Sequence, residues 1–273
     1  MICPDENFSC SRNARLSSTS RVSHVILAAF DRPNLLMLDR WHVERGVSSN
    51  TRRSRLRRFS AMYLLACEMQ GVEPKVRPSK IAPQAVKTIK TYYSEDQVEI
   101  LRQAADALPT AAMRLAVHSW LLQYDLGGLR FNEVCRLHVS MRSGNAFRWV
   151  EGKVPKPRYH PISQKAQAII DYYQGTGRVL PLIAEGLTGD AFDRAVESAN
   201  TLVRRDLSKA CALLGLPKIT THNARHSAAQ RIKRSTDLHT ASRILGHATT
   251  KQTEEYLNEL DVSDIDAAFD KMQ

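Results

Sequence analysis

The stretch 221–257, THNARHSAAQRIKRSTDLHTASRILGHATTKQTEEYL, constrains this chain more than any other, because it packs His222, Arg225, His247 and Tyr256 into one short segment. In HNARHSAAQRI the histidine and the arginine stand three apart. A helix of 3.6 residues per turn puts such a pair on one face, able to grip a single anion such as a phosphate. Leu245-Gly246-His247 reads as a helix end with glycine just past it. Tyr256 follows nine residues later, after the polar turn ATTKQTEE, and its neighbours Glu254 and Glu255 predict an accessible ring. With a free pKa of about 10, a tyrosine attacks at neutral pH only when a base or nearby cations stabilise its phenolate.

The order H-x-x-R, L-G-H, tyrosine resembles box II of the tyrosine recombinases, the phage integrase family. Upstream, Gly127-Gly128-Leu129-Arg130-Phe131-Asn132-Glu133 resembles the family's box I, T-G-L-R-x-x-E, with Gly127 where threonine is commoner. The segment 147–162, FRWVEGKVPKPRYHPI, resembles the β-hairpin whose turn carries the family's catalytic lysine. Lys153 and Lys156 could each bring an ammonium to a leaving oxygen; the family register, G-K, a short basic turn and then a P-[LI] strand, selects Lys153. An H-x-x-R alone carries almost no information, whereas six positions agree here in order. Besides Gly127, the departures are Ala224, where leucine is common, and IKRSTDLHT, which lacks the usual glycine. All three bear on packing rather than chemistry.

The resemblance implies a mainly α fold with a small β-hairpin or sheet: an N-terminal helical core-binding domain and an α+β catalytic domain that close around duplex DNA. It implies site-specific cleavage and rejoining of DNA through a 3′-phosphotyrosyl intermediate on Tyr256, with no ATP, metal or other cofactor. Arg130 and Arg225 would hold the non-bridging oxygens and the charge of the pentavalent transition state. His247 would add a hydrogen bond, His222 would be a general base or a positioning group, and Lys153 would protonate the departing 5′ oxygen. Glu133, one helical turn beyond Arg130, would orient a catalytic group from behind, or simply pair with Arg136. Implied partners are double-stranded DNA at recombination sites, a homotetramer on two such sites, and accessory DNA-bending proteins. The sequence shows no acidic cluster for a divalent metal beside these residues and no P-loop. Two other readings stay open: type IB topoisomerase-like strand relaxation, and a non-catalytic DNA-binding regulator on a recombinase scaffold.

Charge supports a polyanionic partner. Residues 1–91 carry 16 Lys+Arg against 7 Asp+Glu, whereas residues 92–273 carry 23 against 21. A basic N-terminal part suits a module that tracks phosphates, since each one neutralised releases counterions. Arg52, Arg53, Arg55, Arg57 and Arg58 crowd the first two turns of a helix predicted from the capping residues Ser48-Ser49-Asn50-Thr51 to Gly71, with Leu56, Phe59, Tyr63 and Ala66 at helical spacing. Around one helix end they repel one another unless a groove or phosphate ridge neutralises them, which favours DNA contact over a solvated basic face. Five cysteines without metal-type spacing point to a reduced, intracellular compartment. MICPDENFSC lacks the pattern of a secretory signal, and HVILAAF falls far short of the roughly 20 residues of a membrane helix. A cytoplasmic, nucleoid-associated protein is expected.

In order, the chain reads as a flexible N-terminus over 1–20, a helical DNA core-binding domain over 21–71, a Pro-rich basic linker over 72–91, the catalytic domain over 92–260 and a tail helix over 261–273. The first helices are predicted over 21–30 and from Pro33 to just before Gly46. The catalytic domain opens with a capping box, Ser94 to Gln97, and a helix to about Leu108. An apolar core helix over 111–124 leads to Gly127-Gly128, two strands lie within 147–162, and helices follow over 163–174, 189–200 and 201–214. In the tail, Ile265, Phe269 and Met272 stand near helical spacing, a face for docking on a neighbouring protomer or on the same domain.

Overall fold

The computed structural model describes residues 30–86, 90–151, 156–174, 177–246 and 249–258. The expected N-terminal segment, most of the helix over 21–30 and the tail helix lie outside the described residues. Contacts divide the chain into two units, Met1–Thr88 and Ile89–Gln273.

In the first unit, helix α1 spans Arg32–Glu44, with Pro33 in its first turn and the Asp31 carboxylate accepting from the Asn34 N–H at 2.9 Å. Helix α2, Ser49–Met69, starts at Ser48, whose hydroxyl accepts from the Thr51 N–H. Its buried stripe is Leu56, Ser60, Tyr63 and Cys67. Phe59 and Ala66, expected in that stripe, pack at its edge beside Phe30 and Val76. Residues following α2 fold back on it. Asn50 exchanges two hydrogen bonds with the Val86 backbone, at 2.7 and 2.9 Å, and Arg53 donates to the Pro83 carbonyl at 2.9 Å.

The second unit begins with α3, Glu95–Ala104, whose capping box is reciprocal: the Ser94 hydroxyl accepts from the Gln97 N–H, and the Gln97 side chain accepts from the Ser94 N–H at 3.0 Å. Helix α4, Ala111–Asp125, runs through the core, with Ala116, Val117, Trp120, Leu121 and Leu122 all buried. Around it pack α6 (Gln164–Tyr173), α7 (Gly189–Leu213) and α8 (Thr221–Ser235). Helix α7 is a single element where two were expected, over 189–200 and 201–214. Asn200-Thr201 has poor helix propensity, but Ala199, Val203, Leu207 and Ala210 carry one buried stripe across it, and burial outweighs the few tenths of a kcal/mol per residue that propensity supplies.

Between α4 and α6 lie the short helix α5, Phe131–Arg136, and a three-stranded antiparallel sheet, β1 (Arg142–Ser143), β2 (Ala146–Glu151) and β3 (Lys156–Pro161), in the order β1-β2-β3. Glu151 pairs with Lys156, so residues 152–155 join the two long strands. Helices α9, Leu238–Leu245, and α10, Thr250–Asn258, are the last described elements of the unit. They share a small core of Ala229, Ile232, Ala241, Leu245 and Leu257 with α8. Among the described residues no helix is long and apolar enough to cross a membrane, and Cys67, Cys135 and Cys211 are free and buried.

Trp120 ties this core to the site below. Its ring is fully buried and stacks on Tyr124, and its indole N–H donates to the carbonyl of Thr220, the residue that caps α8, at 3.2 Å. Trp120→Ala is expected to cost about 3–5 kcal/mol of stability by chemical denaturation of the full chain. A loss below about 1 kcal/mol would mean that this core is not cooperative with the rest of the unit.

Candidate active site

The site is assembled on the N-terminal end of α8. Asn223 accepts from both the N–H and the hydroxyl of Thr220 at 2.7 Å, satisfying the start of the helix. Its amide donates in turn to the Thr91 carbonyl at 2.6 Å, and the Ser227 hydroxyl accepts from the Tyr93 N–H at 2.9 Å. The extended segment 90–93 is thereby strapped across α8, bringing Lys90 into the field of His222. Nothing in the hydrophobic pattern announces this contact, because it joins residues more than a hundred positions apart.

Arg225, three residues after His222, is buried at 3% exposure. Its two terminal nitrogens donate to the carbonyls of Gly128 at 2.8 Å and Leu245 at 2.5 Å. A buried guanidinium requires such acceptors, and here they belong to the loop ahead of Arg130 and to the last turn of α9. The loop approaches closely. A Cβ on Gly128 would stand 3.2 Å from the Ala228 side chain and 3.4 Å from the Arg225 backbone; one on Gly127, whose φ is +80°, would stand 2.7 Å from the Ile244 side chain. The glycine found where the family commonly has threonine therefore suits its local surroundings, and Ala224, another departure, is fully buried in the core.

Arg130 precedes α5, with its side chain 43% exposed. Glu133, one turn on, is buried and accepts from the Arg130 N–H at 2.5 Å while facing the Arg130 guanidinium at 3.4 Å. Arg136, the other partner considered for Glu133, reaches Asp193 instead, at 3.7 Å. A second cation stands on the Glu133 carboxylate: Arg158, on β3, at 3.4 Å and buried. Its neighbour on the same face, His160, is also buried, shares a 2.7 Å hydrogen bond with the Leu126 carbonyl, and stacks on Trp149. Alternation along β3 was the one signal that could have pointed inward to Arg158 and His160.

Arg130, His222 and Arg225 are thus brought together. Desolvation first, then the charges of Arg225, Lys90 and Arg130, hold the His222 imidazole below its ordinary value, so it is neutral at pH 7. His226 lies against it with ring centroids 4.6 Å apart and is pushed down to about 3, by burial and by His222, Lys90 and Arg225. Sequence reasoning passed over His226 because a histidine inside a helix has no distinguishing spacing. Lys153 and His247 lie outside the described residues. Tyr256 stands on α10, seated by the buried Thr253 and Leu257; its side chain is not among those described. Among the described residues no three His, Cys, Asp or Glu side chains converge as a metal site.

In the first unit the five arginines of α2 divide. Arg52 pairs with Asp39 at 2.7 Å and Arg53 is bonded to Pro83, whereas Arg55, Arg57 and Arg58 are exposed.

The model of the Phage integrase family matches residues 91–262. No curated protein matches the chain by sequence. Among solved structures, the fold is similar to that of a λ integrase dimer bound to a COC′ core site, at 15% identity and TM-score 0.57 over 84% of this chain; the chain spans 65% of that one. It is similar to a λ integrase tetramer bound to a Holliday junction, at 13% identity and TM-score 0.59, over 91% and 84% of the two chains. It is also similar to the Tn1549 transposon integrase in complex with circular intermediate DNA, at 16% identity and TM-score 0.59, over 98% and 95%. At these identities the likeness is one of fold.

Because His222 and His226 titrate lower in the folded state, the unfolded chain binds more protons below about pH 6.5, and stability rises with pH in that window. Urea titrations should therefore show stability falling from pH 6.5 towards about 3, the folded value of His226. The decline should be shallower in His226→Gln. An equal slope in the variant would remove His226 as its source.

Proposed function

The chain belongs to the phage integrase family, and from that premise we propose that it is a site-specific recombinase that cuts and rejoins DNA through Tyr256. The observation that carries the reading is the convergence of Arg130, Arg225 and Lys90 on a His222 imidazole that they help to keep neutral. Such a cluster has an excess of positive charge and suits a phosphodiester.

A DNA phosphate repels an attacking phenolate until its charge is offset. Arg130, half exposed beside Glu133, and Arg225 would take the non-bridging oxygens and the charge that accumulates on them as the pentavalent transition state forms. A neutral His222 retains one acceptor nitrogen and one donor, so it could take the Tyr256 proton or hold the phosphate. As the bond from the tyrosine oxygen to phosphorus forms, the bond to the 5′ oxygen breaks, and Lys153 would give that oxygen its proton. His247 would add a hydrogen bond to the same phosphate. Attack by a different 5′ hydroxyl reverses these steps on a new strand. No divalent metal or nucleotide enters this scheme. Double-stranded DNA is the partner, with four protomers on two sites, and Arg55, Arg57 and Arg58, which are exposed, would meet backbone phosphates.

The test is covalent trapping on labelled DNA from the flanks of the gene, in EDTA, quenched with SDS. Wild type should give an adduct and Tyr256→Phe none; DNA binding without any adduct would favour a non-catalytic regulator. Strand exchange between two labelled sites separates recombination from relaxation alone. Arg130→Ala should slow adduct formation by roughly a hundredfold or more with binding largely retained, the scale for removing a transition-state donor. Equal losses of binding and cleavage would sink that role.

A further inference from the structure

Arg158 is a buried cation that none of the roles above uses. It stands on β3, two residues after Lys156, the first residue of the strand. Its guanidinium faces Glu133 at 3.4 Å, and Glu133 holds both the backbone and the guanidinium of Arg130. On another side it packs against Gly246, which has φ +67°; a Cβ at that position would overlap the Arg158 guanidinium. Gly246 separates Leu245, whose carbonyl accepts from Arg225, from His247. One side chain on β3 thus touches both the carboxylate behind Arg130 and the backbone at Gly246, between Arg225's acceptor and His247.

From this geometry we infer that Arg158 is a positioning residue: it shares the charge of Glu133 so that Arg130 stays free to bind the scissile phosphate, and it sets the backbone at Gly246 ahead of His247. The inference rests on the recombinase reading above. Glu133 is 6% exposed and has two guanidiniums within 3.4 Å. A buried carboxylate demands a counter-charge. With Arg158 in place that demand is met from inside the protein, and Arg130 is held near the carboxylate yet remains 43% exposed. Without it, Arg130 becomes the only counter-charge among these partners and is drawn onto Glu133, away from substrate. The glycine of L-G-H gains a physical reason as well, since its left-handed backbone lies where the guanidinium must pack.

The experiment is a double-mutant cycle on the full chain, read by the rate of adduct formation and by DNA affinity. Arg158→Met should lower the rate by roughly ten- to hundredfold, the scale on which orienting partners act, with affinity unchanged. Adding Glu133→Gln should restore part of that rate, because no carboxylate is left to capture Arg130; a packing role alone would make the two losses add. Arg158→Lys, which keeps the charge and loses the fork, should fall between wild type and Arg158→Met, and it serves if the methionine variant does not fold. Without DNA, urea denaturation of the same four proteins should show the two positions coupled. Wild-type rates in Arg158→Met, additive losses of cleavage, or additive stabilities would each overturn the inference. Absence of an adduct from the wild type would instead count against the recombinase reading, leaving the stability cycle to decide the ion pair.

Discussion

The two hydrogen bonds from the Arg225 guanidinium to the carbonyls of Gly128 and Leu245 are the constraint on which the rest of the site depends. A charge this deeply buried is tolerated only when its donors are met, and both acceptors are backbone atoms of segments far away in the chain. Satisfying one side chain therefore fixes the loop that presents Arg130 and the end of α9 that leads to His247. The close approach of the Gly127-Gly128 loop to Ile244 and Ala228 belongs to the same constraint.

Around that anchor the charges are mostly positive. Arg130, Lys90 and Arg225 all act on His222, and the buried carboxylate among them, Glu133, is already divided between Arg130 and Arg158. The two imidazoles are held below their ordinary value because a further proton there would be poorly solvated and, next, repelled by those cations. A site built this way would, under the proposed function, meet an anionic phosphate with little reorganisation to undergo. The cost is borne by ordinary packing: Trp120 supports the Thr220 cap, and the Asn223–Thr91 bond holds the strap that brings in Lys90.

How far the sequence could be read follows from the range of each interaction. The Ser94–Gln97 capping box, the start of α1 at Pro33, and the three-residue step from His222 to Arg225 are local, and local spacing states them directly. The continuity of α7 through Asn200-Thr201 was not legible, because it comes from a stripe packed against α4 rather than from propensity. Nor was the division of the α2 arginines: Arg52 and Arg55 have the same chemistry in sequence, and only Asp39 removes the first from the exposed face. The sequence left Glu133 between Arg136 and the site, and its partners were decided by Arg158, which approaches from a different element, and by Asp193, which takes Arg136.

By itself, then, the sequence determined where most helices begin and end and which chemical groups stand at which spacing, because caps, glycines and helical periodicity act over a few residues. Only the tertiary structure decided which of those groups share an environment. The His222 imidazole is held below its ordinary value by burial first and then by Arg225, Lys90 and Arg130, Arg225 is a strut as well as a cation, and Arg158 stands behind Glu133. Those properties arise from burial and from charges brought together across long stretches of chain, and neither is encoded in the spacing of any single segment.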